Sequence, residues 1–193
     1  MLDNLSGKRI ILASKSPRRR ELLEMLDIDF ECMTIDGIEE KYPENLAPER
    51  VPEYLAELKA VAYRKVIGKN DIVITADTVV ISNGKILGKP ANREDAVEML
   101  LDLSGHTHKV VTGVSVTSTD RSHTFRCETE VTFDNITEEE VAYYVDKYRP
   151  FDKAGSYGIQ EWIGCVAVAG INGSCYNVMG LPVNRLYHLL SSW

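Results

Sequence analysis

The chain has 193 residues, of which 44% are hydrophobic and 26% charged, a balance of folded globular proteins and not of disordered or fibrous ones. Its formal net charge of -7 is the reverse of the basic footprint that DNA or RNA binding requires, so nucleic acid is excluded as an expected partner. No run approaches the roughly 18 consecutive apolar residues of a membrane span, and the first residues carry no signal-peptide pattern, so a cytoplasmic protein with no membrane partner is expected. Cys32, Cys127, Cys165 and Cys175 form no CxxC pair, which argues against a zinc or dithiol motif and predicts reduced, mostly core thiols.

In chain order, residues 9–13 read as a buried strand that feeds a helix opened by Ser16 and Pro17, with Leu22, Leu23 and Leu26 at helical spacing. A second strand is expected over residues 30–35. Pro48 then opens a helix with Val51, Leu55, Leu58 and Ala62 on one face, ending near Gly68. Residues 72–76 predict a buried strand that stops at Asp77, and 79–81 with 86–87 predict a hairpin turned by Asn83 and Gly84. Asn92 caps a helix that stops at Ser104 and Gly105. Two alternating segments between Lys109 and Phe133 form an antiparallel hairpin, and Thr137 with Glu140 makes a capping box. Residues 165–171 and 174–178 suggest another hairpin about Asn172 and Gly173, and Pro182 starts a last helix. No repeat or long linker interrupts this mixed α/β pattern, so the chain reads as one domain over 1–193, or two closely joined lobes.

The chemistry gathers in a few places. Ser14, Lys15, Ser16, Arg18 and Arg19 stand where a strand hands over to a helix N-terminus, whose unpaired N–H groups attract anions. Hydroxyls and guanidiniums at that point ask for a phosphate-bearing ligand. Asp77 follows a buried strand, Lys89 stands between Gly88 and Pro90, Lys59 lies beside the apolar face of its helix, and Glu39 and Glu40 form a loop pair. Taken singly, each is an ordinary turn or surface residue. His106 and His108, at a turn-to-strand junction, read as polar packing or surface groups more than as metal ligands. Met25, Met99, Tyr143, Tyr144 and Tyr148 read as helix-face residues in a core or interface.

Together the motifs resemble the Maf family of nucleoside triphosphate pyrophosphatases, from Arg9 to Leu190. The matching pieces run from the Ser14 to Arg19 segment, through Asp77 with Thr78, Lys89 between its glycine and proline, and His108, to the Asp152 to Gly155 and Tyr157 to Gln160 segments, ending at Gly180 and Pro182. The resemblance implies an elongated, mixed twisted sheet flanked by helices, two lobes around a deep cleft, a divalent metal (magnesium or manganese), and frequent homodimers. It also implies hydrolysis of a triphosphate to monophosphate and pyrophosphate. On matching positions, Asp77 would accept a proton, Glu40 would join it in holding the metal, and Lys89 would complete the catalytic group. Ser14, Arg18, Arg19 and Lys59 would bind the triphosphate, and Gln160, with Arg18 and Thr78 as accompanying positions, would bear on substrate choice.

Gln160 carries a specific expectation, because an amide offers one acceptor and one donor side by side, the complement of uracil and thymine. This agrees with the branch of the family acting on dTTP and UTP. Ser156 stands where that branch commonly has alanine. A pyrophosphatase for non-standard purine triphosphates, or a nucleotide-sensing regulator of cell division, are the other readings open to the same phosphate-binding residues.

Overall fold

A run of apolar residues with no alternation suits a strand covered on both faces, and the first strand behaves so: in β1 (Arg9–Leu12) only the arginine is exposed. The computed structural model describes residues 2–193. After β1 come α1 (Pro17–Glu24), β2 (Glu31–Cys32), α2 (Val51–Arg64), β3 (Asp71–Ser82), β4 (Lys85–Leu87), α3 (Arg93–Leu103), β5 (Thr107–Thr117), β6 (Ser122–Phe133) and α4 (Glu138–Tyr148). The chain closes with α5 (Trp162–Val166), β7 (Val168–Asn172), α6 (Cys175–Met179) and α7 (Val183–Ser191). The seven-stranded sheet has the order β2-β1-β3-β5-β6-β7, with β4 paired to β3. The architecture is mixed α/β, as the alternation of helical and strand patterns predicts.

The chain divides into two compact units. One holds the stretch up to Asp77 with Thr112–Cys127 and Gly180–Trp193; the other holds Thr78–Val111 and Glu128–Met179. In the first, β1 lies between β2 and β3, parallel to both, with Leu12 opposite Ile74 at the end of the pairing. Ile11, Val73 and Tyr63 form a small core there. The opening of α2 lies directly against β5. A Cβ on Gly113 would stand 2.2 Å from the Pro52 carbonyl oxygen, so only glycine allows that approach.

The second unit has the larger apolar core, with Leu100 and Leu103 of α3, Val141 and Tyr144 of α4, and Phe133 of β6 all packed together. Local chemistry holds its helices. Asn92 accepts the Asp95 N–H at 2.9 Å to start α3, and Thr137 and Glu140 cap one another to start α4. Asn83 and Gly84, both at positive φ, turn β3 into β4.

Four expectations need correction. The second strand is only Glu31–Cys32, because the Tyr63 hydroxyl donates to the Met33 carbonyl and accepts the Ile35 N–H, occupying groups a strand partner would take. Strand β3 does not stop at Asp77 but runs on to Ser82, where it pairs with β4. The expected hairpin about Asn172 and Gly173 does not form: β7 pairs with β6, and the following residues turn into α6, where Ser174 Oγ accepts the Asn177 N–H. The thiols are free, but Cys32, Cys165 and Cys175 are exposed and not in the core. Met25 and Tyr143 are also exposed, whereas Tyr144 is fully buried.

Candidate active site

In the first unit the parallel pairing of β1 and β3 ends at Leu12 and Ile74, after which the two chains part. Ala13 still donates to the Ile74 carbonyl at 2.9 Å, and the loop beyond it turns into α1. Ligands of open α/β sheets collect outside the carboxyl ends of parallel strands. Ser14 tightens this loop, its Oγ accepting the Ser16 N–H at 3.1 Å. Ser16 occupies the N-cap position but makes no side-chain cap, so its hydroxyl leaves the orphan N–H groups of α1 to other acceptors.

No acidic residue stands in the first turn of α1, so its dipole meets only positive charge. Arg20 is taken by Glu24 at 3.0 Å and Lys15 by Asp36 at 3.0 Å, both in the open. Arg19 turns inward: its Nε donates to the Gly180 carbonyl at 2.9 Å and its Nη1 to the Ala76 carbonyl at 2.8 Å. Burial pulls its guanidinium below the ordinary value, against the opposing pull of Asp77 and Glu40. An arginine remains charged even so, and this one is anchored beside the carboxylates.

Lys59 on α2 joins those carboxylates. Its ammonium lies 2.8 Å from Asp77 Oδ1 and 3.0 Å from Glu40 Oε2. Lys59 and Asp77 are largely buried and Glu40 is half exposed. The loop pair separates cleanly: Glu39 bonds Lys41 at the surface while its neighbour turns in to Lys59. Ser14, Arg19, Glu40, Lys59 and Asp77 are thus all members of one unit, with Arg18 partly exposed in the first turn of α1.

The remaining candidates belong to the second unit. Thr78 follows Asp77 directly in β3. Lys89 is exposed just after β4, in a segment tied down where Gly88 accepts the Gly155 N–H at 3.0 Å. Gln160 is exposed in the turn before α5. Residues without an assigned role surround that turn: buried Lys153 lies 2.8 Å from Asp152 and 3.2 Å from Glu161, and the Tyr144 hydroxyl donates to the other Glu161 oxygen. The signal for them was a charged pair inside an otherwise small, Gly-containing motif. His106 is exposed, while His108 is buried with its Nε2 on the Tyr157 hydroxyl at 2.7 Å.

Against known families, the family described as Maf-like protein matches residues 9–193. The chain belongs to that family. Among Maf-like relatives, the dTTP/UTP pyrophosphatase of Porphyromonas gingivalis is 54% identical over 195 residues, covering 100% of this chain and 98% of the relative. That of Phocaeicola vulgatus is 54% identical over 187 residues, covering 97% of each. Among solved structures, the Ham1 protein of Staphylococcus aureus has a similar fold, with a TM-score of 0.56 at 19% identity, over 96% of this Maf-like chain and 99% of that one. A HAM1 protein of Coxiella burnetii gives 0.50 at 13% identity, over 96% and 100%.

Proposed function

We propose that this Maf-like chain hydrolyses dTTP and UTP between the α and β phosphates, releasing the nucleoside monophosphate and pyrophosphate. The observation that carries the reading is the convergence of Asp77 and Glu40 on the Lys59 ammonium, beside Arg19 and the basic first turn of α1. Whole-chain relatives at 54% identity that bear the name dTTP/UTP pyrophosphatase support the choice of substrate.

Each residue then has a task. Asp77 accepts the proton of the attacking water, using the oxygen that Lys59 does not hold. Arg18, Arg19 and Lys59 spread the triphosphate charge as it shifts onto the leaving pyrophosphate, with Ser14 and the first N–H groups of α1 as further donors. Lys89 adds a further cation from an exposed position. Gln160 reads uracil or thymine through its paired acceptor and donor, with Thr78 as an accompanying selectivity residue.

Asp77 and Glu40 fit a divalent cation such as magnesium or manganese, since both are hard oxygen donors that already reach one positive charge within 3.0 Å. Such an ion, when bound, would add charge neutralisation at the phosphate oxygens. Among the described residues no cluster of three or more His, Cys, Asp or Glu side chains gathers, and the substrate oxygens would supply the remaining ligands. We further propose that residues 1–193 act as one functional domain, as a homodimer in the cytoplasm. No helix of the described residues is long and apolar enough to cross a membrane.

The deciding experiment is a panel of UTP, dTTP, CTP, GTP and ITP with magnesium, followed by product identification. UMP and dTMP with pyrophosphate are expected. Orthophosphate with a nucleoside diphosphate as the main product would remove the proposed reaction.

A further inference from the structure

Gln160 makes no hydrogen bond among the described residues and is exposed, so nothing but its own backbone aims its amide. That backbone is the third residue of a four-residue turn, closed where the Glu161 N–H donates to the Gly158 carbonyl at 2.9 Å. The Gly158 N–H in turn donates to the Tyr144 hydroxyl at 3.1 Å, and that hydroxyl donates to Glu161 Oε2. Both ends of the turn are therefore joined through one carboxylate. Its other oxygen, Oε1, lies 3.2 Å from the ammonium of buried Lys153.

Packing closes what the hydrogen bonds leave open. A Cβ on Gly158 would come within 3.0 Å of Glu161 Cδ and 3.1 Å of Lys153 Cε, so the turn lies flat on the ion pair. On the helix side, a Cβ on Gly164 would fall 1.8 Å from the Ile159 carbonyl, so α5 also presses on the turn. Tyr144 is fully buried, and burial together with the Glu161 contact pushes its hydroxyl pKa up, which keeps it a donor.

We infer that Glu161 is the positioning residue of the base-reading turn, holding the Gln160 amide in register by gripping Tyr144 and Lys153 at once. The inference rests on the reading that Gln160 recognises uracil and thymine. It adds a requirement that Gln160 alone does not: preference for pyrimidine depends on a side chain that touches no substrate. Loss of the grip frees the turn, and a freed amide pairs poorly with the base while the phosphate-binding residues of the other unit keep their own contacts.

The test compares kcat/KM for UTP and for GTP in the whole chain carrying Glu161→Ala, Glu161→Gln, Tyr144→Phe or Gln160→Ala, with thermal midpoints measured alongside. Glu161→Ala is expected to lower the UTP over GTP ratio by about tenfold, approaching Gln160→Ala. Glu161→Gln, whose amide oxygen still accepts from Tyr144 but whose NH2 faces the Lys153 ammonium, is expected to recover part of the ratio and to fall between wild type and Glu161→Ala. Should Glu161→Ala not fold, Tyr144→Phe carries the same expectation, since it cuts the tie between Gly158 and the carboxylate. Equal loss for both nucleotides, or an unchanged ratio beside a lowered one in Gln160→Ala, overturns the positioning role alone. A wild-type protein without preference for UTP overturns the pyrimidine reading itself and this inference with it.

Discussion

His108 allows a quantitative prediction about acid stability. Its ring is buried against the edges of Phe133 and Tyr157, its Nε2 is shared with the Tyr157 hydroxyl, and its Nδ1 has no hydrogen-bond partner among the described residues. An imidazolium there would need acceptors for two N–H groups and would find one, in a site that water does not reach. Burial accordingly lowers the pKa from 6.5 to about 4. Above the unfolded value both states are neutral and the residue leaves stability unchanged. As pH falls below it, the unfolded chain takes up a proton that the folded one refuses, so stability drops until pH passes the folded value. The full loss is about 3 kcal/mol, and about 2 kcal/mol of it falls between roughly pH 7.5 and pH 5. His108→Gln keeps a partner for Tyr157 and cannot titrate. Urea unfolding of both proteins at the two pH values isolates the effect, because every other group contributes equally to each. The wild type is expected to lose about 2 kcal/mol more than the variant over that interval. Parallel losses, or a His108 proton titrating near the free value in NMR, would refute the reasoning.

Asp77→Asn keeps the size of the side chain but removes its charge and basicity; turnover should fall by about two to four orders of magnitude, while triphosphate binding by calorimetry persists. Near-normal turnover would sink Asp77 as the proton acceptor. Gln160→Glu sets a carboxylate against a pyrimidine carbonyl, and the ratio of kcat/KM for UTP over GTP should drop by about tenfold to a hundredfold; an unchanged ratio would mean that Gln160 does not read the base. Gly113→Ala drives a methyl into the Pro52 carbonyl 2.2 Å away, and should lower unfolding stability by about 3 kcal/mol, with α2 and its Lys59 displaced. An unchanged thermal midpoint would show that α2 yields freely at that point.

Local signals were read correctly wherever a few neighbouring residues decide the outcome. Asn92 and the Thr137 with Glu140 box start helices through hydrogen bonds within one turn, and Asn83 with Gly84 turns a hairpin because both tolerate positive φ. The family, and the residues that carry its motifs, were legible for the same reason: they stand in short contiguous segments. The end of β3 was not, since the break in pattern at Asp77 looks like a strand end, whereas its neighbours in the sheet carry the strand on. Nor was the fate of residues 174–178, which the Asn172 and Gly173 turn signal made look like a returning strand but which lead into α6, with the buried Asn177 amide bonded to Val110 and Thr129.

The candidate site divides along the same line. Sequence alone placed a basic helix start after β1, because a helix start is a local event, and it singled out Asp77, although that carboxylate lies within β3 and not after its end. Only the tertiary structure decided that Glu40 and not Glu39 meets Lys59, since both are loop residues of equal propensity and the choice rests on where α2 brings an ammonium from 19 residues away. It likewise turned Arg19 onto the carbonyls of Ala76 and Gly180, 57 and 161 residues distant, and set Glu161 between Tyr144 and Lys153. Such contacts are chosen by packing, which sets the space and solvent each residue gives up, and for the Arg19 contacts no local window of sequence contains both partners.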